Sequence, residues 1–219
     1  TGDNWFATEG NVDIKVGGKK GEPENKQAGT GYFKESWSKS EVSKQMAKVE
    51  VSNKEDIPSY GAVYWQYFED LDKITAQNGN LNVQKSLFVE KTSDKGKSLN
   101  SISEASPLKV GDKVTVRLTI RVDRDMSFVH IKGMRASCFE PLDVLSGNRW
   151  QNSLIYYQTT KDASTNFYFD HMPKGTYVLE YPVYVNRTGE YSNGITTIQC
   201  MYAPEFVSHT QGIRVNVTE

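Results

Sequence analysis

GTYVLEYPVYVNRTGEYSNGITTIQCMYAPEF, residues 175–206, is the stretch whose reading decides the fold. Tyr177, Leu179, Tyr181, Val183 and Val185 occupy every second position. The two-residue period of a strand puts all five on one face, and that face must be covered. A polar break, residues 186–190, separates this strand from a second one over residues 195–202, which Pro204 ends. Strands this close in sequence are expected to pair as neighbours, with room for a third element between them.

Upstream, after a turn at Gly111-Asp112, Val114, Val116, Leu118, Ile120 and Val122 alternate without exception with Thr115, Arg117, Thr119, Arg121 and Asp123. One face is therefore buried and the other wet. The five apolar residues are expected to point inward against the face formed by Tyr177, Leu179, Tyr181 and Val183. Further strands are expected over residues 81–90, 126–135, 166–172 and 213–217, whereas 138–165 is the least periodic part. Nearer the N-terminus, residues 12–16, 32–37 and 47–51 read as short strands. The Gly/Lys-rich loop 17–31 among them is expected to be the most mobile region. Residues 61–72, GAVYWQYFEDLD, are the most aromatic dozen. Val63, Trp65 and Tyr67 are expected to pack inward on a central strand, the alternative being an exposed sugar-stacking platform.

Strand follows strand at turn-punctuated intervals with almost no helical period. This predicts an all-β chain: an antiparallel β-sandwich over residues 59–219, macroglobulin-like or immunoglobulin-like, preceded by a small incomplete β segment over residues 1–58. The segment holds too few strands to stand alone and is expected to lean on the sandwich or on a second copy.

Lys plus Arg number 26 and Asp plus Glu 27, a net charge of −1, so nothing electrostatic suggests nucleic acid or an acidic membrane as partner. No apolar run approaches the roughly 18 residues that span a bilayer, so no direct membrane insertion is expected. The start, TGDNWFATEG, lacks a basic segment followed by an apolar one, as expected of a fragment or mature piece whose export signal lies elsewhere. Cys138 and Cys200 are too far apart in sequence for a redox pair or a zinc knuckle. They read as buried thiols, with a single bridge left open should their strands face each other. His130, His171 and His209 are scattered, without metalloprotease spacing or a nucleophile elbow. Asp170-His171 is expected to be a solvated turn pair, and Asp123-Arg124-Asp125 a charged strand end that lacks the further oxygens a calcium site needs. Asn186-Arg-Thr188 and Asn216-Val-Thr218 match the glycosylation pattern, which short sequences meet by chance. No catalytic, cofactor-binding or metal-binding residue is assigned, no cofactor is implied, and the chain is not expected to be an enzyme.

SLFVEK (86–91), LKVGDKVTVRLTIRVDRDM (108–126), FDHMPKGTYVLEYPVYV (169–185) and GEYSNGITTIQCMYAPEF (189–206), in this order, resemble the C-terminal end of bacterial α2-macroglobulin family proteins, particularly those of the Bacteroides group. The last carries most weight: a turn of the form Gly-x-Tyr, here Gly189-Glu190-Tyr191, then a strand closing on Met201-Tyr202-Ala203-Pro204-Glu205. The resemblance covers residue 61 to the end and is looser before it. There it suggests a β segment returning from the thioester-containing region. It implies the last macroglobulin-like domain of a large protease-trapping protein of the cell envelope, periplasmic, lipoprotein-anchored or secreted. In such a protein cleavage of a bait region triggers rearrangement. The implied partners are neighbouring domains of the same chain and, through the full-length protein, target proteases. The thioester of many members needs Cys-x-Glu-Gln; Cys138-Phe139-Glu140-Pro141 offers Pro141 in place of the glutamine and cannot form it. The competing reading is a carbohydrate-binding or adhesin-like sandwich using Trp65, Trp150 and Tyr156. It demands coplanar rings exposed in one cleft, whereas a macroglobulin module is expected to bury Trp65.

Overall fold

The computed structural model describes residues 12–21, 27, 31–54, 58–94, 96–102 and 107–219. They form two compact units divided between Gln66 and Tyr67.

In the first unit, β1 (Val12–Val16) turns at Gly17-Gly18 into β2 (Lys19–Lys20) and pairs on its other side with β3 (Val49–Asn53), all antiparallel. Lys20 and Lys54 both reach the Asp13 carboxylate, which they hold below its ordinary pKa, Lys54 foremost. The expected strand at 32–37 is not formed. Residues Lys44–Ala47 make a 3-10 turn, which delays the next strand to Val49. Of the expected loop, the larger part lies outside the described residues. No described residue of this unit is fully buried, as befits three short strands that enclose nothing.

The second unit is a two-layer sandwich. Its strands are β4 (Leu81–Ser93), β5 (Gly96–Ser101), β6 (Leu108–Lys109), β7 (Lys113–Val122), β8 (Met126–Met134), β9 (Phe139–Pro141), β10 (Gly147–Gln151), β11 (Leu154–Lys161), β12 (Ser164–Met172), β13 (Gly175–Val185), β14 (Gly189–Ser192), β15 (Thr196–Cys200), β16 (Ala203–His209) and β17 (Arg214–Thr218). One layer is ordered β10-β11-β12-β8-β15-β16 and the other β5-β4-β7-β13-β9; a small third sheet runs β14-β17-β6. Every pair is antiparallel except β6 with β17. The all-β sandwich is thus the observed fold.

Two expected arrangements are corrected. The inward row of β7 does not face β13 across the core, because the two are neighbours in one sheet. Val116 sits opposite Tyr181, Leu118 opposite Leu179 and Ile120 opposite Tyr177. The same inward face is covered by the other layer: Phe167 of β12 meets Tyr181 with ring centroids 5.3 Å apart and also meets Tyr156 of β11. Leu118, Ile120, Leu179, Ile131, Phe167 and Ile198 are wholly buried. Likewise β13 and β15 do not pair. The break at 186–195 carries the chain from one layer to the other, and β14 within it pairs with β17.

The layers approach closely at Gly133, where a Cβ would stand 2.8 Å from the Tyr181 hydroxyl. Residues 71–77 fasten along the C-terminal strands. The Gly212 amide donates to the Ile74 carbonyl, Gln77 bridges to His209, and Arg214 pairs with Asp72 at 3.0 Å. A side chain at 212 would collide with the Leu71 carbonyl, so glycine is required there. The expected central strand at 61–72 does not exist: residues 58–70 form no strand and are exposed, Trp65 at 52%. β-propensity measures fit to a pleated surface with partner strands, and no described strand pairs with this segment.

Candidate interaction face

The alternation that buries Phe167 and Phe169 turns Asn166 and Tyr168 to the outside of the six-stranded sheet. On β11 it buries Leu154, Tyr156 and Gln158 and turns out Ile155 and Tyr157. Strand register then aligns the outward residues in a row across the layer: Asn148, Tyr157, Tyr168, His130, Gln199 and Val207. Trp150 and Ile155, paired with each other, lie next to this row toward one end and are 77% and 72% exposed. Toward the other end the row is polar, Thr159, Asn166, Lys132 and Thr197.

The rings are ordered. His130 stacks on Tyr168, with centroids 4.7 Å apart and planes 13° apart, and its Nε2 is 3.2 Å from the Asn166 Oδ1. Burial lowers the His130 pKa against the opposing Asn166 bond, and nearby Lys132 lowers it further. Two positions earlier on β8, Phe128 is half exposed with a backbone φ of +56°, an unusual conformation for a bulky residue. It meets the 81%-exposed Tyr202 edge-on at 5.1 Å, and its carbonyl accepts from the Met201 amide. Exposed aromatic groups gathered like this mark interaction sites.

The outer face of the five-stranded sheet differs. Arg117 pairs with Glu180 at 2.5 Å and lies 4.5 Å over the Phe88 ring, while Glu90 accepts from Thr115 and pairs with Lys113. The expected wet face of β7 is therefore a ladder of mutual contacts, with Thr115 buried.

The structure brings no two of the histidines together as a catalytic pair. His171 is exposed, and with Asp170 it lies on β12 rather than in a turn; His209 Nδ1 is engaged by the Thr210 carbonyl. Asp123 is paired with Arg124, and Asp125 accepts from the Lys174 amide. Among the described residues no three His, Cys, Asp or Glu side chains converge as a metal site would require. Cys138 and Cys200 are both free and buried. Burial pushes the Cys138 thiol up to about 11, which suppresses the nucleophilic thiolate. Cys200 donates to the Ser127 carbonyl. Asn186 donates to Glu140, and Asn216 is exposed on β17. Of the three aromatics of the carbohydrate reading, Tyr156 points into the core; Trp150 is on the face, and Trp65 is in the first unit, half exposed rather than buried.

Sequence reading missed Ile155, Tyr157 and Tyr168. The available signal was Asn152-Ser153, a two-residue turn with both φ values positive that makes 147–161 a hairpin and sets its inside and outside.

A family model described as Bacterial Alpha-2-macroglobulin MG10 domain matches residues 81–205. Salmonella alpha-2-macroglobulin reacted with methylamine is similar in structure with a TM-score of 0.53 at 19% identity, over 80% of this chain and 11% of that one. Escherichia coli alpha-2-macroglobulin activated by porcine elastase matches with a TM-score of 0.53 at 15% identity, over 80% and 16%. The native Escherichia coli protein from domain MG7 to the C-terminus gives 0.52 at 13%, over 80% and 29%. Among curated proteins, Circularly permutated Ras protein 2 of Dictyostelium discoideum is 26% identical over 165 residues, 71% of this chain and 4% of that protein. The chain thus spans less than a third of the length of each of these relatives.

Proposed function

We propose, from the premise that this chain belongs to the bacterial alpha-2-macroglobulin MG10 domain family, that it is a non-catalytic packing module of a protease-trapping protein. The observation that carries this reading is the exposed face of Trp150, Ile155, Tyr157 and Tyr168 on the six-stranded sheet, beside which no nucleophile stands next to a base among the described residues. Such a face suits docking to another domain of the same longer polypeptide, and its release on bait cleavage suits a conformational response. In this reading residues 59–219 are the C-terminal macroglobulin-like module of a Bacteroides-type protein, residues 1–58 are a partial segment completed by other chain, and the setting is the cell envelope. Target proteases are met by the whole protein.

Two assays test it. The purified chain should turn over no peptide, ester or glycoside substrate; turnover abolished by changing His171 overturns the non-catalytic role. In the longer polypeptide, Trp150→Ser with Ile155→Ser should weaken capture of an elastase-type protease while the isolated module stays folded. Undiminished capture overturns the packing role.

A further inference from the structure

Among the exposed rings of the six-stranded sheet stands a carboxylate that the fold itself does not use. Alternation along β12 buries Phe169 and turns Asp170 outward with Tyr168, into solvent. The pairs Phe169 with Val129 and His171 with Ser127 set Asp170 opposite Phe128 of β8. Counted two residues on from the Tyr157–Tyr168 pair, the β11 register brings Asp170 level with Ile155, which pairs with Trp150. Exposed apolar side chains therefore flank it on both sides, Phe128 on one and Ile155 with Trp150 on the other.

Among the described residues this carboxylate has no hydrogen bond and no ion pair. The nearby cations are engaged or distant. Arg149 donates to the Leu145 carbonyl, and Arg124 pairs with Asp123. Lys132 lies four residues beyond Phe128 on β8, roughly 13 Å along a strand. His171, the next residue of β12, is exposed and makes no bond to Asp170.

Elsewhere the chain completes the same combination of carboxylate and phenylalanine with an arginine. Arg117 pairs with Glu180 and lies 4.5 Å over the Phe88 ring. Arg124 pairs with Asp123 at 3.0 Å and lies 5.3 Å from the Phe206 ring centroid. A guanidinium suits both contacts at once, with forked donors for the carboxylate and a flat cation for the ring. At Asp170 and Phe128 the carboxylate and the ring are in place, and no arginine among the described residues joins them. A partner that covers Trp150, Ile155 and Phe128 must also take Asp170 out of water. A buried carboxylate without a counter-charge is costly, so a wholly apolar partner is penalised.

We propose that the segment docking on this face carries an arginine between apolar residues, its guanidinium set against Asp170 and Phe128. The inference rests on the reading of this face as a docking surface and adds the chemistry of what docks. Selectivity follows from it: a neutral apolar segment would strand the carboxylate, whereas a segment with a matching cation would not.

Oxidative labelling of Trp150 in the longer polypeptide, with the isolated chain as reference, tests this. Trp150 should be protected in the unaltered protein. Asp170→Asn, which keeps the shape and removes the charge, and Asp170→Leu should each leave the partner's guanidinium buried without its counter-charge. The Trp150 labelling rate should then rise about 30-fold, or to the isolated chain's rate where that is lower. Asp170→Glu should keep most of the protection. Protection in the unaltered protein that persists or increases in Asp170→Leu would overturn the arginine and leave the docking surface standing. Labelling of Trp150 in the unaltered longer polypeptide as fast as in the isolated chain would overturn the docking surface, and the arginine with it.

Discussion

The two outer faces of the sandwich cover the same core but are finished differently. On the five-stranded sheet a central set of outward residues satisfy one another, Arg117 with Glu180 and Phe88, Glu90 with Lys113 and Thr115, with Tyr184 and Leu99 part-exposed beside them. On the six-stranded sheet they are rings and aliphatic chains, Trp150, Ile155, Tyr157 and Tyr168, left to solvent. A self-satisfied surface gains nothing from a partner, whereas an apolar one gains from each ring it removes from water. In the proposed reading, this difference marks the six-stranded face as the one that would meet other protein.

The core beneath both faces should give the largest effect. Leu118→Ala or Leu179→Ala, both fully buried in adjacent register, should destabilise the chain by about 2 to 5 kcal/mol in denaturant unfolding. A loss below about 1 kcal/mol would break the shared-core premise. On the laddered face, Arg117→Ala removes a half-exposed ion pair and a cation–π contact. The expected cost is about 1 kcal/mol, reduced by added salt; a cost independent of salt would deny the ladder its electrostatic character.

The pH dependence of the aromatic face should be smaller. Because His130 is held below its ordinary 6.5, chiefly by burial, the unfolded chain takes up the proton first. Stability should therefore decline as pH falls from 6.5 toward the folded pKa and be unaffected by this group above 6.5. His130→Gln should remove that decline, and an NMR midpoint above 6.5 for His130 would contradict the dominance of burial over the Asn166 bond. Smallest of all, Trp150→Ser should change the stability of the isolated chain by less than about 0.5 kcal/mol, since its ring packs on little. A large loss would mean that the ring is structural.

Strands with a period of two were legible: β7 alternates large apolar residues with polar ones, and β13 places Tyr177, Leu179, Tyr181, Val183 and Val185 at every second position, so the inward face of each could be assigned. Their partners were not, since register depends on contacts distant in sequence; neither the adjacency of β7 and β13 nor the crossing from β13 to β15 leaves a local trace. The interaction face was hidden for a related reason. Leu154-Ile155-Tyr156-Tyr157 is apolar on both sides, so the exposed pair cannot be told from the buried pair by composition. In residues 61–70 the same ambiguity ran the other way, and aromatic residues expected in a core stand in solvent. Lys85 breaks an otherwise apolar alternation at Val83 and Leu87, but only the folded chain shows the carbonyls of Met134, Asn193 and Gly194 that receive its amine.

Oxidative footprinting of the isolated chain and of the longer polypeptide proposed to contain it tests the central claim most directly. Trp150, Tyr157 and Tyr168 should label readily in the isolated chain and be protected in the longer protein, whereas Phe88 under Arg117 should label alike in both. Equal labelling of Trp150 and Tyr168 in the two forms, or protection appearing at Phe88 instead, would contradict the assignment of the aromatic face as the docking surface.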